Sequence, residues 1–212
     1  MTRVTPEHTD ARLREIERAA FTVFARLGSE KATMAEIARE AGLSAGALYL
    51  YYPSKADLLR AVCVDKSTDV QAVFETAAAA GGTPLETLER IAELFAEMFD
   101  SEGYEDQVIV GFEAAIAAAR DPEQFGDVLC DNADALAGAL RELVVAAQRA
   151  GEIDAGIDAE RLATVLHAVG LGLRELRLIR RGAVDARGAF GVVLEMLRRM
   201  APGAAQPDRP GE

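Results

Sequence analysis

The sequence predicts an all-α protein of about nine helices, and three observations carry that prediction. Half of the residues are apolar and alanine is abundant, while aromatics make up 6% of the chain and prolines number seven, a mixture that favours helix over strand. Apolar residues recur three and four positions apart in segment after segment, with no sustained period-two alternation and no internal repeat. Ser, Thr and Asp stand where such segments begin and Gly where they end. The pattern organises into an N-terminal three-helix unit over residues 10–56, a larger helical domain over 57–201, and a tail over 202–212 that is expected to be disordered.

The first helix runs from about Ala11 to Leu27, where Leu13, Ile16, Ala20, Val23, Phe24 and Leu27 form one apolar stripe and Gly28 supplies the C-terminal cap. Thr33 and Glu36 make a capping box for a short second helix, Met34 to Ala41, which Gly42 ends. Ser44 caps a third, Ala45 to Tyr51, stopped by Pro53. Ser54 caps a fourth, with Asp57 in its first turn, reaching about Ala80. After the break at Gly81 and Gly82, Thr83, Pro84 and Glu86 supply the cap, the first-turn proline and the capping-box acid of a fifth helix that runs to about Asp100. Gly103 separates it from a sixth, Tyr104 to Arg120, apolar nearly all round. Asp121 and Pro122 start a seventh that reaches Ala150, Asp158 caps an eighth to about Ile179, and a ninth covers about Arg187 to Met200.

The formal net charge of −12 is unevenly placed. Residues 1–60 hold nine Lys/Arg against eight Asp/Glu, a net of +1, and the remaining 152 hold 14 against 27, a net of −13. A polyanion would therefore have to meet the first sixty residues. The polar start of the chain, with Pro6, is unlike a secretory signal, and no apolar run has bilayer length, so a soluble cytoplasmic protein with no membrane partner is expected. Cys63 and Cys130 each fall inside a helical pattern; they suggest neither a disulfide framework nor a metal site and read as buried small hydrophobes. With only His8 and His167, no catalytic triad or metal-ligand spacing, no P-loop and no GxGxxG, neither enzymatic activity, nor a catalytic residue, nor a cofactor is expected.

Helices two and three, joined by a tight Gly-containing turn, have the layout of a DNA-reading helix-turn-helix. Ala38 is small enough for helix three to cross closely over helix two, and Ile37, Leu43 and Leu48 fall where a three-helix interior would lie. Taken together, Thr33, Ile37, Ala38, Ala41, Gly42, Leu43, Ser44, Gly46, Leu48, Tyr49, Tyr51, Ser54, Lys55, Asp57 and Leu58 resemble the signature of the TetR/AcrR family of transcriptional regulators, over about Ala11 to Leu59. Tyr51 stands where that family often has His, Tyr52 where it often has Phe, and Pro53 is a less usual neighbour; both tyrosines keep an aromatic ring.

The expected DNA-binding residues are Thr33, Ser44, Ala45, Gly46, Ala47, Tyr49, Tyr51 and Lys55. The starts of helices two, three and four carry unpaired amides and partial positive charge suited to phosphate, with Thr33, Ser44 and Lys55 at those ends and the Tyr49 and Tyr51 hydroxyls as further donors. The reading helix offers only small side chains, which can touch thymine methyls but cannot make bidentate bonds to guanine. Discrimination then falls to Tyr49, DNA shape, and Arg3 or Arg12 reaching the backbone or minor groove. On residues alone, Thr33 and Ser44 are equally explained as caps, Gly42 as a turn former and Lys55 as a surface lysine.

In the eighth helix Leu162, Val165, Leu166, Val169, Leu173 and Leu176 form one stripe, while Ala163, Gly170, Leu171 and Leu178 extend small or apolar character around the other side; in the ninth, Phe190, Val193, Leu194 and Leu197 share a face. Helices apolar on two sides need a second partner, and a second copy of the chain is expected, with Leu166, Gly170, Leu173, Phe190, Val193 and Leu197 at a two-fold interface. The resemblance implies that the helices from Pro84 to Ala150 surround a pocket for an unidentified small-molecule effector. Candidate lining residues are Phe95, Phe99, Phe112, Glu113, Ile116 and His167, each of which also reads as core or as an internally satisfied polar group. For Glu113 three readings stay open: a cationic or hydrogen-bonding ligand, an internal arginine such as Arg174, or solvent.

The resemblance thus implies a ligand-responsive homodimeric regulator of palindromic operator DNA, a repressor on family grounds. The alternative is a helical dimeric adaptor that binds protein and no DNA, and the intact set of phosphate-contact positions argues against it.

Overall fold

The computed structural model describes residues 6–201, and within that span the side chains of all but 6–9, 65–68 and 124–128. Arg3, the side chain of His8 and the expected tail therefore lie outside the described residues. The described chain is helix throughout with short connections: α1 (Pro6–Leu27), α2 (Met34–Glu40), α3 (Ala45–Tyr49), α4 (Lys55–Ala79), α5 (Pro84–Asp100), α6 (Tyr104–Arg120), α7 (Pro122–Arg149), α8 (Ala159–Ile179) and α9 (Ala186–Arg199). No helix among the described residues is long and apolar enough to cross a membrane.

The expected caps are made. Thr33 Oγ1 accepts from the Glu36 amide at 3.2 Å, and the Glu36 carboxylate accepts from the Thr33 amide at 3.0 Å and from the Thr33 hydroxyl at 2.8 Å. The same box recurs at Thr83 and Glu86. Ser44 accepts from the Ala47 amide, Ser54 from that of Asp57, and Asp158 from those of Glu160 and Arg161. Several helix ends depart from expectation. α1 begins at Pro6 rather than near Ala11, and α3 stops at Tyr49, the amides of Tyr51 and Tyr52 both donating to the Leu48 carbonyl. α9 starts one residue early, Asp185 accepting from the Gly188 amide, while Asp121 stands where expected, between the end of α6 at Arg120 and the start of α7 at Pro122.

Thr33→Ala should cost about 1 kcal/mol of stability, as loss of a helix cap does, measurable by urea unfolding at neutral pH. The bonds from Thr33, side chain first and backbone second, hold the Glu36 carboxyl below the usual carboxylate value. A depressed folded pKa means that the carboxylate's share of this stabilisation is present above the unfolded value and fades as the pH falls through the folded one, so the gap between wild type and variant should narrow in acid to what the bond from the Glu36 amide to the Thr33 hydroxyl leaves.

Packing divides the chain into two units, the first made of residues up to Val70 together with Gly103–Asn132, the second of Gln71–Glu102 together with the residues from Ala133 on. This differs from the boundary expected at residues 56 and 57, because α6 inserts into the first unit. Val110 and Ala114 of α6 join Ile16, Ala20, Val23 and Phe24 of α1, Ile37 and Ala38 of α2, Leu48 of α3 and Leu58, Leu59 and Val62 of α4 in one core. Phe24, Ile16, Ile37, Leu48 and Leu58 are fully buried there, each worth about 1.5–3 kcal/mol of burial. In the second unit Leu85 and Leu88 of α5, Leu140 and Ala147 of α7, Ile153, Ala163 of α8 and Leu197 of α9 form the main core. Cys63 is half-buried against the core of the first unit, where burial drives its thiol up to about 11, whereas Cys130 is exposed, so neither is the fully buried small hydrophobe expected.

Candidate nucleic-acid interface

The first unit presents one helix outward by burying its opposite side. Gly42, at φ +66°, turns the chain after α2, and the Leu43 amide donates to the Ala38 carbonyl at 2.8 Å. That conformation favours glycine, which lets α3 start three residues later, at Ala45. Leu48 is fully buried, and Leu43 packs on the same core. The other side of α3 is left open: Ser44, Ala45 and Gly46 are exposed and Ala47 is half-buried. Tyr49 and Tyr51 follow, 51% and 38% exposed. A Cβ at Gly46 would meet nothing within 4 Å, so its small size leaves room outside the fold rather than within it.

The eight expected DNA-binding residues separate by what their polar atoms already do. Ser44 Oγ accepts from its own helix and keeps its hydroxyl proton for an acceptor outside. The phenols of Tyr49 and Tyr51 belong to exposed residues and can donate to phosphate. Thr33 and Lys55 are already engaged: the Thr33 hydroxyl both accepts from and donates to Glu36, and the Lys55 ammonium gives two of its three protons to the carbonyls of Glu30 at 3.0 Å and Ala32 at 2.9 Å. α2 and α3 are only seven and five residues long, and one first-turn amide of each is taken by its own cap. Arg12 pairs with Glu15 one turn along α1. Tyr52 is half-buried against the core and donates its hydroxyl to the Glu17 carboxylate. Sequence reasoning missed Leu50, the residue between the two exposed tyrosines, which is 87% exposed. The early end of α3 puts it on the surface, and nothing in its residue type announces that.

Comparison with known proteins fits this geometry. Residues 16–62 match the model for bacterial regulatory proteins of the tetR family, and residues 87–202 match that for the C-terminal part of BetI-type transcriptional repressors. The chain belongs to the TetR family. It is 39% identical over 82 residues to an uncharacterized HTH-type transcriptional regulator, YfiR, of Bacillus subtilis, a stretch covering 34% of this chain and 40% of that protein. It is 29% identical over 196 residues to the A-factor receptor protein of Streptomyces griseus, covering 92% of this chain and 64% of the receptor. The chain thus spans less than two thirds of the length of either relative. The fold is similar to that of the regulator FadR of Bacillus subtilis, solved in complex with stearoyl-CoA, with a TM-score of 0.73 at 19% identity over 91% of this chain and 99% of that one.

The residues expected around an effector in this TetR-family chain divide between the two units. Phe95 and Phe99 belong to the second, in a row of rings that runs Phe74, Phe95, Phe99, Phe190 with centroids 6.0–6.3 Å apart. Edge and tilted contacts at that spacing are those of a packed aromatic core. Phe112, Glu113 and Ile116 belong to the first unit, with Ile116 half exposed. The Glu113 carboxylate accepts from the Ser29 amide at 2.6 Å, a backbone partner that none of its three expected readings named. A shallow groove of about 370 Å³ on the first unit is lined by Glu15, Arg18, Ala19, Thr22, Glu40 and Ala41, none of them an expected effector contact.

His167, half-buried on α8, is held below the ordinary imidazole value, first by burial and then by the nearby Arg174 guanidinium. A depressed histidine favours its neutral form when folded, so the folded state loses stability as the pH falls below the unfolded value of about 6.5. His167→Gln should flatten the stability profile between about pH 7 and pH 5. Parallel profiles from thermal unfolding of the two proteins would remove that role.

The dimer residues need a correction. Leu173, Phe190 and Leu197 are buried, Leu197 within the main core of the second unit, and so cannot form its surface. Leu166, Gly170 and Val193 are half-buried. The exposed apolar residues are instead Val165, Leu171, Leu176 and Ile179 on α8 and Val192, Met196 and Met200 at α9, the last three spaced four residues apart on one helical line.

Proposed function

We propose that this TetR-family chain is a homodimeric transcriptional regulator that binds palindromic operator DNA through α2 and α3 and answers to a small-molecule effector. The outward face of α3, with its small side chains bounded by two exposed tyrosines, is the observation that carries this reading. Small residues let the reading helix seat deeply in a major groove, and hydroxyls from Ser44, Tyr49 and Tyr51 meet the flanking phosphates. Dimerisation follows from the apolar lines on α8 and α9, which expose more large hydrophobic side chains than the rest of the described surface. A two-fold axis then places two reading helices one DNA turn apart, about 34–36 Å.

The effector reading draws support from what the relatives are described as binding, A-factor in one case and stearoyl-CoA in another. The effector shifts the dimer between spacings that fit and do not fit the operator, with α4, continuous from Lys55 to Ala79, as the connecting element. Repression in the cytoplasm, relieved by the effector, is the mode we assign on family grounds. Selection of bound sequences from random duplexes at modest salt tests the central claim. An enriched palindrome is the expected result, and a pool with none overturns the reading.

A further inference from the structure

The turn between α1 and α2 is held by more than its own backbone. Gly28, at φ +80°, donates to the Phe24 carbonyl at 2.8 Å, and Ala32 donates to the Gly28 carbonyl at 3.0 Å. Those bonds close the turn without using the Ser29 amide or the carbonyls of Glu30 and Ala32. Two charged side chains from distant elements take these groups. Glu113 of α6 accepts from the Ser29 amide at 2.6 Å, and Lys55 of α4 donates to Glu30 O at 3.0 Å and Ala32 O at 2.9 Å. An anion on an amide and a cation on two carbonyls are charge-assisted bonds, roughly twice as strong as neutral ones. Glycine is favoured at position 28 by its left-handed φ, and a Cβ there would stand 3.0 Å from Glu113 Oε1, so that the carboxylate would have to give by a few tenths of an ångström. The residue after Ala32 is Thr33, the cap of α2, so the position of this turn sets where the helix pair begins.

We infer that Lys55 and Glu113 are positioning residues for DNA binding: they brace the turn 28–32 from two elements and thereby orient α2 and α3, and Lys55 acts on DNA through that turn rather than by touching a phosphate. The inference rests on the DNA-binding function proposed above and alters the role that sequence assigns to both residues. It also predicts a sign that electrostatics alone reverses. Glu113 is an anion in the unit that would meet a polyanion, so removing its charge should tighten binding if charge were its only effect. If it is a brace, removing it weakens binding.

The test has two arms on the full-length chain. In the first, amide hydrogen exchange of the free protein is read at Ser29. Exchange should accelerate in Glu113→Ala and stay close to wild type in Glu113→Gln, which keeps an acceptor oxygen. Unchanged exchange in Glu113→Ala overturns the brace whatever the DNA results. In the second arm, affinity for a selected palindromic duplex is followed against salt. Glu113→Ala, which removes one charge-assisted bond, should weaken binding about tenfold, and Lys55→Ala, which removes two, at least about tenfold. Neither should change the slope of log affinity against log salt, whereas a lost phosphate contact lowers that slope by about 0.9. Glu113→Gln should recover most of the loss. Arg120→Ala, which removes an ion pair to Glu30 that is 72% and 85% exposed at its two ends, should bind as wild type does. A slope reduced by about one in Lys55→Ala, or wild-type or tighter binding in Glu113→Ala, overturns the inference. Failure of the wild-type chain to bind any duplex removes the DNA-binding function instead, and leaves the exchange result to judge the brace.

Discussion

Tyr49→Phe combined with Tyr51→Phe should weaken duplex binding about a hundredfold, by the same factor for a selected operator and for an unrelated sequence. Each phenol stands on an exposed residue, Tyr49 at the end of the reading helix and Tyr51 two residues beyond it, and each can give one hydrogen bond to a phosphate oxygen. A bond to a charged acceptor is worth about 1.5–3 kcal/mol, so two of them make two decades a conservative figure. The loss is uniform because phosphate contacts fix register and carry no sequence information. Phenylalanine keeps the ring and its packing, so thermal stability should not move. Fluorescence anisotropy with both duplexes decides the matter: a loss confined to the operator would put the hydroxyls on base edges, and no loss would remove them from the interface.

The second large effect is on assembly. Leu176→Glu with Met196→Glu should convert a dimer into a monomer at micromolar concentration, as read by sedimentation. In the single chain these residues are 47% and 59% exposed, so the carboxylates would face water and the monomer should melt as wild type does. In a two-fold interface each substitution occurs twice, and each buries a charge without a partner at about 3–5 kcal/mol. Operator binding should fall with dimerisation, since one reading unit alone covers half a palindrome. Leu173→Ala is the contrast. Its side chain is 8% exposed within the second unit, so about 2–5 kcal/mol should be lost from folding rather than from assembly. A double variant that still sediments as a dimer would place the interface elsewhere.

These two expectations differ in how far the sequence alone supports them, and the reason is geometric. The reading unit is written in local code. Capping boxes, the left-handed glycine after α2 and the buried Leu48 all act over three or four residues, and all appear where expected. The Glu113 contact could not be seen that way, because its partner lies 84 positions earlier in the chain and is a backbone amide, which every residue but proline carries. For the same reason, nothing local tells that α6 belongs with α1 rather than with its neighbours in sequence. The α8 and α9 faces failed differently. Helical periodicity shows that a helix is apolar on two sides, and it does not say which side its own core takes. Leu173 and Leu197 took the inner side, and Leu176 and Met196 were left on the outer one.

The placement of the tyrosines gives the protein an optical property of its own. The chain has no tryptophan and four tyrosines, and three of them, Tyr49, Tyr51 and Tyr52, lie within four consecutive residues at the end of α3. Near-ultraviolet emission therefore has no indole to drain into, and it originates largely at one spot. Quenching of that emission would follow occupancy of the reading surface without any dye, tag or engineered probe.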